Sequence, residues 1–273
     1  ASDAACAPKG AIIGLANGPA GLEGLDDPLN TVALDLSDLG LVEIAFGASS
    51  DGTRMAVTGL MKALNAPCAV TRSTEAFVGT ILQDATLGMI DSILLRGQTP
   101  WEFDEALENA GFAEGVLKAQ DQIGLEQAFA RRRAAGTDLL VADRMVREGR
   151  LGRSVGVGWY RYPGGGGAVI DPLMEDMIVE EAHFAGIAPQ PVPDSAAAEF
   201  LICGIMNASA GLLTDPGLDT KTLDRIAHVK LGLPDLTARA RVMGLEALRE
   251  KLLAGQQIDP GFWAVSPDLG RLF

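Results

Sequence analysis

Short apolar runs broken by turn residues fill the first quarter of the chain. Longer runs with apolar residues at three- and four-residue spacing fill the rest. GAIIGLA (10–16) is an apolar run closed by Asn-Gly-Pro, a turn signal. TVALDL (31–36) and LVEIAFG (41–47) read as strands. SSDGTRMAVTGLMKALNA (49–66) offers Ser and Asp for a helix N-cap, with Met55, Leu60, Met61 and Leu64 at helical spacing. PCAVTR (67–72) is then a short strand, and strand, helix, strand in that order predicts parallel pairing.

From residue 74 the pattern is helical. TEAFVGTILQDATLGMIDSILLRG (74–97) carries Phe77, Val78, Ile81, Leu82, Leu87, Met89, Ile90, Leu94 and Leu95, and stops at Arg96-Gly97. TPWEFDEALENAG (99–111) opens with Thr-Pro and has Glu102 three residues after Thr99, the pattern of a capping box. Further helices are expected over 139–150, 174–186, 195–213 and 220–232, with YPGGGGAV (162–169) as a loop. The fold class expected is α/β followed by all-α. The helical part also looks duplicated. FVGTILQDATLGMI from Phe77 is similar to FLICGIMNASAGLL from Phe200. FDEALENAGFAEGVLKAQDQIGLEQAF (103–129) is similar to LDRIAHVKLGLPDLTARARVMGLEALR (223–249), with Asp104 matching Asp224 and Gly124-Leu125-Glu126 matching Gly244-Leu245-Glu246.

Composition narrows the partners. A net charge of −14 repels nucleic-acid phosphates and anionic membranes at long range, so neither is expected to bind. Cys6, Cys68 and Cys203 lie far apart without a CxxC, which offers no zinc or redox signature and fits a reducing cytoplasm. ASDAACAPKG (1–10) lacks the charged and apolar regions of a secretory signal. No apolar stretch is expected to approach the roughly 18 residues of a membrane span.

EGRLGRSVGVGWYRYP (148–163) resembles the EGRLGRKTGRGFYDY-type run of the 3-hydroxyacyl-CoA dehydrogenases, above all those within multifunctional β-oxidation proteins. Gly152, Arg153, Gly156, Gly158, Trp159 and Tyr160 match, and Ser154 stands where the family usually has Lys. TEAFVGTILQDATLGMIDSILLRGQTPWEFDEAL resembles the family's PGFVGNRLL…EGA…DIDxAL segment. GFAEGVLKAQDQIGL resembles GFPMGPFxLxDxxGL at Gly111, Phe112, Gly115, Asp121 and Gly124. LVEIAFG resembles the LVEIV segment that closes the family's nucleotide-binding domain, and FWAVSPDLGRLF resembles a shortened multifunctional C-terminus. The resemblance implies a truncated Rossmann-like segment (1–73) and two 6-phosphogluconate-dehydrogenase C-terminal-like helical units, 74–165 and 166–273. It also implies a structural role for 148–163, with Gly156 and Gly158 bending at positive φ and Trp159 and Tyr160 packing the bend.

The family's chemistry needs NAD, a His base for the 3-hydroxyl proton and a Glu that orients it. The dinucleotide signature is a strand, GxGxxG and a helix. No GxGxxG occurs, since GLANGPAG (14–21) has the wrong spacing and GGGG (164–167) follows an aromatic turn. No cofactor is therefore expected, and the chain is expected to begin inside the Rossmann domain. Glu43 matches the orienting Glu. Asp35 stands in place of the His and Thr80 in place of the active-site Asn. The family's Ser would fall near 14–21, where no alignment holds. His183 and His228 read as helix-face residues. Asp35 beside Glu43 could have one pKa raised by the other, or the pair could be an ordinary polar strand end. Arg131, Arg132, Arg133, Arg144, Arg147, Arg150 and Arg153 read either as a patch for CoA phosphates or as a face balancing acidic neighbours.

The expectation is a 3-hydroxyacyl-CoA dehydrogenase-like protein of acyl-CoA metabolism, without NAD-dependent activity as this chain stands. Acyl-CoA is the implied ligand, and the chain is expected to be a monomer or a loose homodimer. The alternatives are a fragment of an active NAD-dependent enzyme and a non-catalytic interaction protein.

Overall fold

A computed structural model describes residues 12–15, 22, 26–37, 40–72 and 76–273. Four strands, β1 (Ile13–Leu15), β2 (Thr31–Asp35), β3 (Val42–Ala45) and β4 (Cys68–Thr71), form one sheet in chain order. β1 and β2 are parallel, β2 and β3 antiparallel, and β3 and β4 parallel. The parallel pair is joined by α1 (Asp51–Ala63), as the strand–helix–strand pattern predicts. Ser50 caps α1, its side chain accepting from the Thr53 amide at 3.2 Å.

Alternation along the strands separates two faces. Val32, Val42, Ile44 and Phe46 pack with Val57 and Met61 of α1. Each such side chain contributes about 1.5–3 kcal/mol by burial. Ala33 and Ala45 face the other way, with Leu22 and Phe77. Asp35 lies two residues after Ala33 and Glu43 two residues before Ala45, and the two acids are paired across β2 and β3. The helix over this segment forms as its spacing predicts. Its buried residues are Thr53, Val57 and Met61, whereas Met55, Leu60 and Leu64 are exposed. Of the four apolar residues at helical spacing only Met61 packs on the sheet, which claims the face centred on Val57.

Twelve helices are described in all. They continue with α2 (Val78–Leu94), α3 (Pro100–Asn109), α4 (Val116–Ile123), α5 (Glu126–Ala135), α6 (Leu140–Arg147), α7 (Pro172–Phe184) and α8 (Asp194–Leu212), then α9 (Thr220–Leu231), α10 (Leu236–Met243), α11 (Leu245–Ile258) and α12 (Pro260–Trp263). Thr99 caps α3: its hydroxyl accepts from the Glu102 amide and donates to Glu102 Oε2 at 2.6 Å, so the Glu102 side chain meets the cap hydroxyl rather than the cap amide. α8 corrects the reading of the apolar runs. It has 19 residues with a mean hydropathy of 1.3, long and apolar enough to span a membrane, yet most of it is buried inside the fold.

The duplication has a structural counterpart. Asp104 accepts from the Leu117 and Lys118 amides, at the start of α4. Asp224 accepts from the Thr237 amide and hydroxyl, at the start of α10. In each case an Asp on one helix caps the next helix 13 residues on. Both second helices end on a glycine at nearly the same backbone angles, Gly124 at φ 94, ψ 150 and Gly244 at φ 84, ψ 151. Compactness divides the chain differently from sequence likeness. One unit contains Ala1–Gln83, Ala208–Leu245 and Ser266–Phe273, and the other Asp84–Asn207 and Glu246–Val265.

Candidate active site

Glu43 lies in the first unit, on β3, and is fully buried. Its two carboxylate oxygens accept from the Gly79 amide at 3.0 and 3.2 Å. Gly79 is the second residue of α2, so this amide has no acceptor within the helix, and the partial positive charge of the helix end favours the carboxylate. Glu43 therefore caps α2 from the sheet. Gly79 has no side chain for a plain reason: a Cβ there would collide with Glu43 Oε1 and with Cγ of Lys230.

Lys230, on α9, is the polar residue that sequence reading missed. Its side chain is 4% exposed, and Nζ donates to Asp35 Oδ2 at 2.8 Å and to Ser37 Oγ at 3.0 Å. The Ser37 amide donates to Asp35 Oδ1 at 2.9 Å. A signal for Lys230 existed. The buried stripe of α9 is Leu223, Ile226, Ala227 and Leu231, and position 230 is the one remaining place on that stripe. A lysine on a core-facing stripe implies a buried acidic partner.

The charges split the two carboxylates. Burial drives Glu43 up to about 7, assisted by the negative charge of Asp35 and opposed by the Gly79 amide and the Lys230 ammonium. Burial also pushes Asp35 upward, but hydrogen bonds from Lys230 and Ser37 outweigh it, and Asp35 sits below its usual range. That direction suits an ion-pair partner rather than a base working near neutral pH. Glu43 has the better matched pKa but no exposure to solvent. Thr80 follows Gly79 in the first turn of α2 and is half-buried. The structure thus gathers Glu43, Asp35 and Thr80 around the β2–β3 end and the α2 N-terminus. His228 is exposed on α9 and His183 is exposed on α7. Apart from Gly14 and Leu15, the 14–21 stretch lies outside the described residues.

A dinucleotide does not fit the strand-to-helix turn from β3 to α1. That turn holds one glycine, Gly47, beside the buried Phe46. The Ser50 side chain already occupies the helix N-terminus, and the Ser50 amide and Thr53 hydroxyl both donate to the Leu29 carbonyl. With the Ser50 and Thr53 amides engaged, a pyrophosphate would lack the close backbone approach that paired glycines allow. Among the described residues no group of His, Cys, Asp and Glu is arranged to hold a metal.

The 148–163 run lies in the second unit and is structural. The Trp159 and Tyr160 amides each donate to the Asp121 carboxylate at 2.9 Å, and the Tyr162 hydroxyl donates at 3.1 Å. The Tyr160 hydroxyl reaches Asp104 at 2.9 Å. Gly156 has φ +83, as expected of the bend. Gly158 does not adopt positive φ; a Cβ there would strike the Asp121 carboxylate, which is the reason for glycine. Burial raises Asp104 to about 7 and Asp121 to about 6. The arginines are largely spent on carboxylates: Arg131 on Asp84, Arg132 on Asp143, Arg147 on Asp138 and Arg150 on Asp171. Arg144 meets Glu148, Glu180 and Glu181.

The chain is similar to peroxisomal bifunctional enzymes. It is 26% identical over 238 residues to that of Danio rerio, covering 78% of this chain and 33% of the relative. It is 24% identical over 185 residues to that of Cavia porcellus, covering 60% and 26%. In fold it matches the dehydrogenase part of multifunctional enzyme 1 from C. elegans, with TM-score 0.66, 18% identity, 92% of this chain and 61% of that one. It also matches 3-hydroxybutyryl-CoA dehydrogenase from Escherichia coli K12, with TM-score 0.69, 16% identity, 91% and 71%. In sequence the chain resembles the peroxisomal bifunctional enzymes, and in fold the 3-hydroxyacyl-CoA dehydrogenases. No protein-family profile matches it. It spans about a third of the length of the zebrafish relative. The fold class follows the family: a small, partial Rossmann-like sheet and a helical remainder.

Proposed function

We propose that this 3-hydroxyacyl-CoA dehydrogenase-like protein belongs to acyl-CoA metabolism and, as this chain stands, does not transfer hydride. The observation that carries the reading is the commitment of Glu43. Its carboxylate holds the α2 backbone next to a buried Lys230–Asp35 pair, where the family reading calls for a His to be oriented. Asp35, tied to an ammonium, makes a poor proton acceptor. The ligand class, an acyl thioester of coenzyme A, is taken from the family likeness. The proposed compartment is the cytoplasm, or the peroxisome for which the relatives are named.

A second reading is favoured by the fraction of the relatives that this chain spans: a separate polypeptide segment supplies the dinucleotide fold and the imidazole, and the whole oxidises a 3-hydroxyacyl-CoA. Calorimetric titration of the chain with NADH and with acetoacetyl-CoA, followed by an assay with both, tests the proposal. Binding of the thioester alone supports it. NADH consumption by this chain alone overturns it, and binding of neither ligand points to an interaction protein.

A further inference from the structure

In the second unit Gly152, Val157, Arg161 and Val169 are bridged in that order, each antiparallel to the next. Val169 stands at the outer end of this small ladder. Its amide donates to the Arg161 carbonyl at 2.8 Å, and its carbonyl accepts from the Arg161 amide at 2.9 Å. Where an antiparallel pair exchanges both bonds, the flanking residues point their amides and carbonyls the other way. Among the described residues the amides and carbonyls of Ala168 and Ile170 meet no partner. A row of unpaired backbone groups is a template for one more strand. Val169 is 45% exposed and Ile170 47%, so the edge is apolar as well as unpaired. The preceding glycines, Gly164 to Gly167, are exposed and carry no side chain that would bar an incoming segment.

Charge decides which segment fits. Side chains paired across a ladder lie on one side of it, so Arg161 shares its side with Val169. Arg161 is 52% exposed and reaches a carboxylate only at 3.8 Å. That carboxylate, on Asp171, is buried and already held by Arg150 at 2.7 Å. Strand alternation puts Tyr162, next to Arg161, on the other side. There the exposed Arg153 lies over the Tyr162 ring and donates to the Gln122 side chain and the Gly165 carbonyl. Each side of the edge thus carries a guanidinium group that no nearby carboxylate neutralises well. We propose that the Ala168–Ile170 edge takes an extended, acidic segment of a partner protein by strand addition. The backbone groups supply the hydrogen bonds, Val169 and Ile170 the apolar contact, and Arg153 and Arg161 the preference for carboxylates. A second copy of this chain, at a net charge of −14, is disfavoured by like charge. An edge this short, flanked by exposed charges, makes the contact weak and salt-sensitive.

NMR of the isotope-labelled full chain, titrated at low salt with a short acetylated peptide of alternating glutamate and valine, tests this. The peptide is expected to bind, and to bind severalfold more weakly at high salt. Bound, it is expected to slow hydrogen exchange at the Ala168 and Ile170 amides, while the Val169 amide, already bonded, changes little. A lysine–valine peptide is expected not to bind. Arg161→Glu is expected to weaken the glutamate peptide severalfold. The double variant Arg153→Glu/Arg161→Glu is expected to reverse the preference in favour of the lysine peptide, which a loss of folding cannot do. Circular dichroism melts check that each variant is folded. No binding of the glutamate peptide overturns the inference, as does equal binding of the two peptides. Binding that leaves the Ala168 and Ile170 amides unprotected overturns it too, and so does a chain that closes this edge by pairing with its own copy.

Discussion

Two regions of this chain hold buried carboxylates, and they behave differently. Around Asp121 and Asp104, in the second unit, the acceptors face amides and hydroxyls of the 148–163 run, whose sequence carries the family resemblance. Around Glu43, in the first unit, one carboxylate matches the family while its neighbours are Asp35, Thr80 and the unforeseen Lys230. The first carboxylates hold the backbone of a loop, while the second is shared between a helix end and a buried ion pair. A shared fold does not by itself carry a reaction, which depends on the residues of the site.

The largest expected effect is on the scaffold side. Asp121→Ala strands the Trp159 and Tyr160 amides and the Tyr162 hydroxyl, and urea unfolding is expected to show a loss of about 3 kcal/mol or more. Next comes pH dependence on the Glu43 side. A carboxyl raised from 4.5 to about 7 binds a proton more tightly folded than unfolded. Its contribution is fully present below about 4.5 and is lost as pH rises through about 7. The loss is at most about 3 kcal/mol across that window. Glu43→Gln is expected to flatten this segment of a stability–pH curve, and an unchanged slope contradicts the assignment.

Glycines separate the regions at smaller magnitude. Gly79→Ala forces Glu43 and Lys230 aside and is expected to cost about 1–3 kcal/mol in thermal or denaturant unfolding. Gly59→Ala, on the open face of α1, is expected to stabilise by up to about 1 kcal/mol instead. Equal effects at the two sites would remove the case that Gly79 is kept for the cluster. Smallest of all, Arg147→Ala breaks an exposed pair with Asp138 and is expected to change stability by about 0.5 kcal/mol or less.

Much of this architecture can be read from the chain. Ser50 and Thr99 as caps, the strands around Val32 and Ile44, and the paired Asp104 and Asp224 all follow from local patterns, because capping and alternation are local physics. Glu43 and Asp35 were singled out through the family resemblance, Glu43 as the orienting Glu and Asp35 in place of the His. Lys230 was not found, since its partner Asp35 is 195 residues away and only the tertiary fold brings them together. The buried face of α1 was not legible for a related reason. Helical spacing shows that a helix forms, but the sheet decides which side is buried, and of Met55, Leu60, Met61 and Leu64 only Met61 joins Val57 against it.

The account stands on Lys230 and the α2 backbone, rather than an imidazole, being the partners of the buried acid pair. Carboxyl-carbon NMR titration of Glu43 and Asp35 in the wild type and in Lys230→Met measures this directly. The account predicts a Glu43 midpoint near 7 and an Asp35 midpoint below the ordinary carboxylate range, with both moving upward when the ammonium is removed. Midpoints of ordinary value that ignore the loss of Lys230 would contradict it.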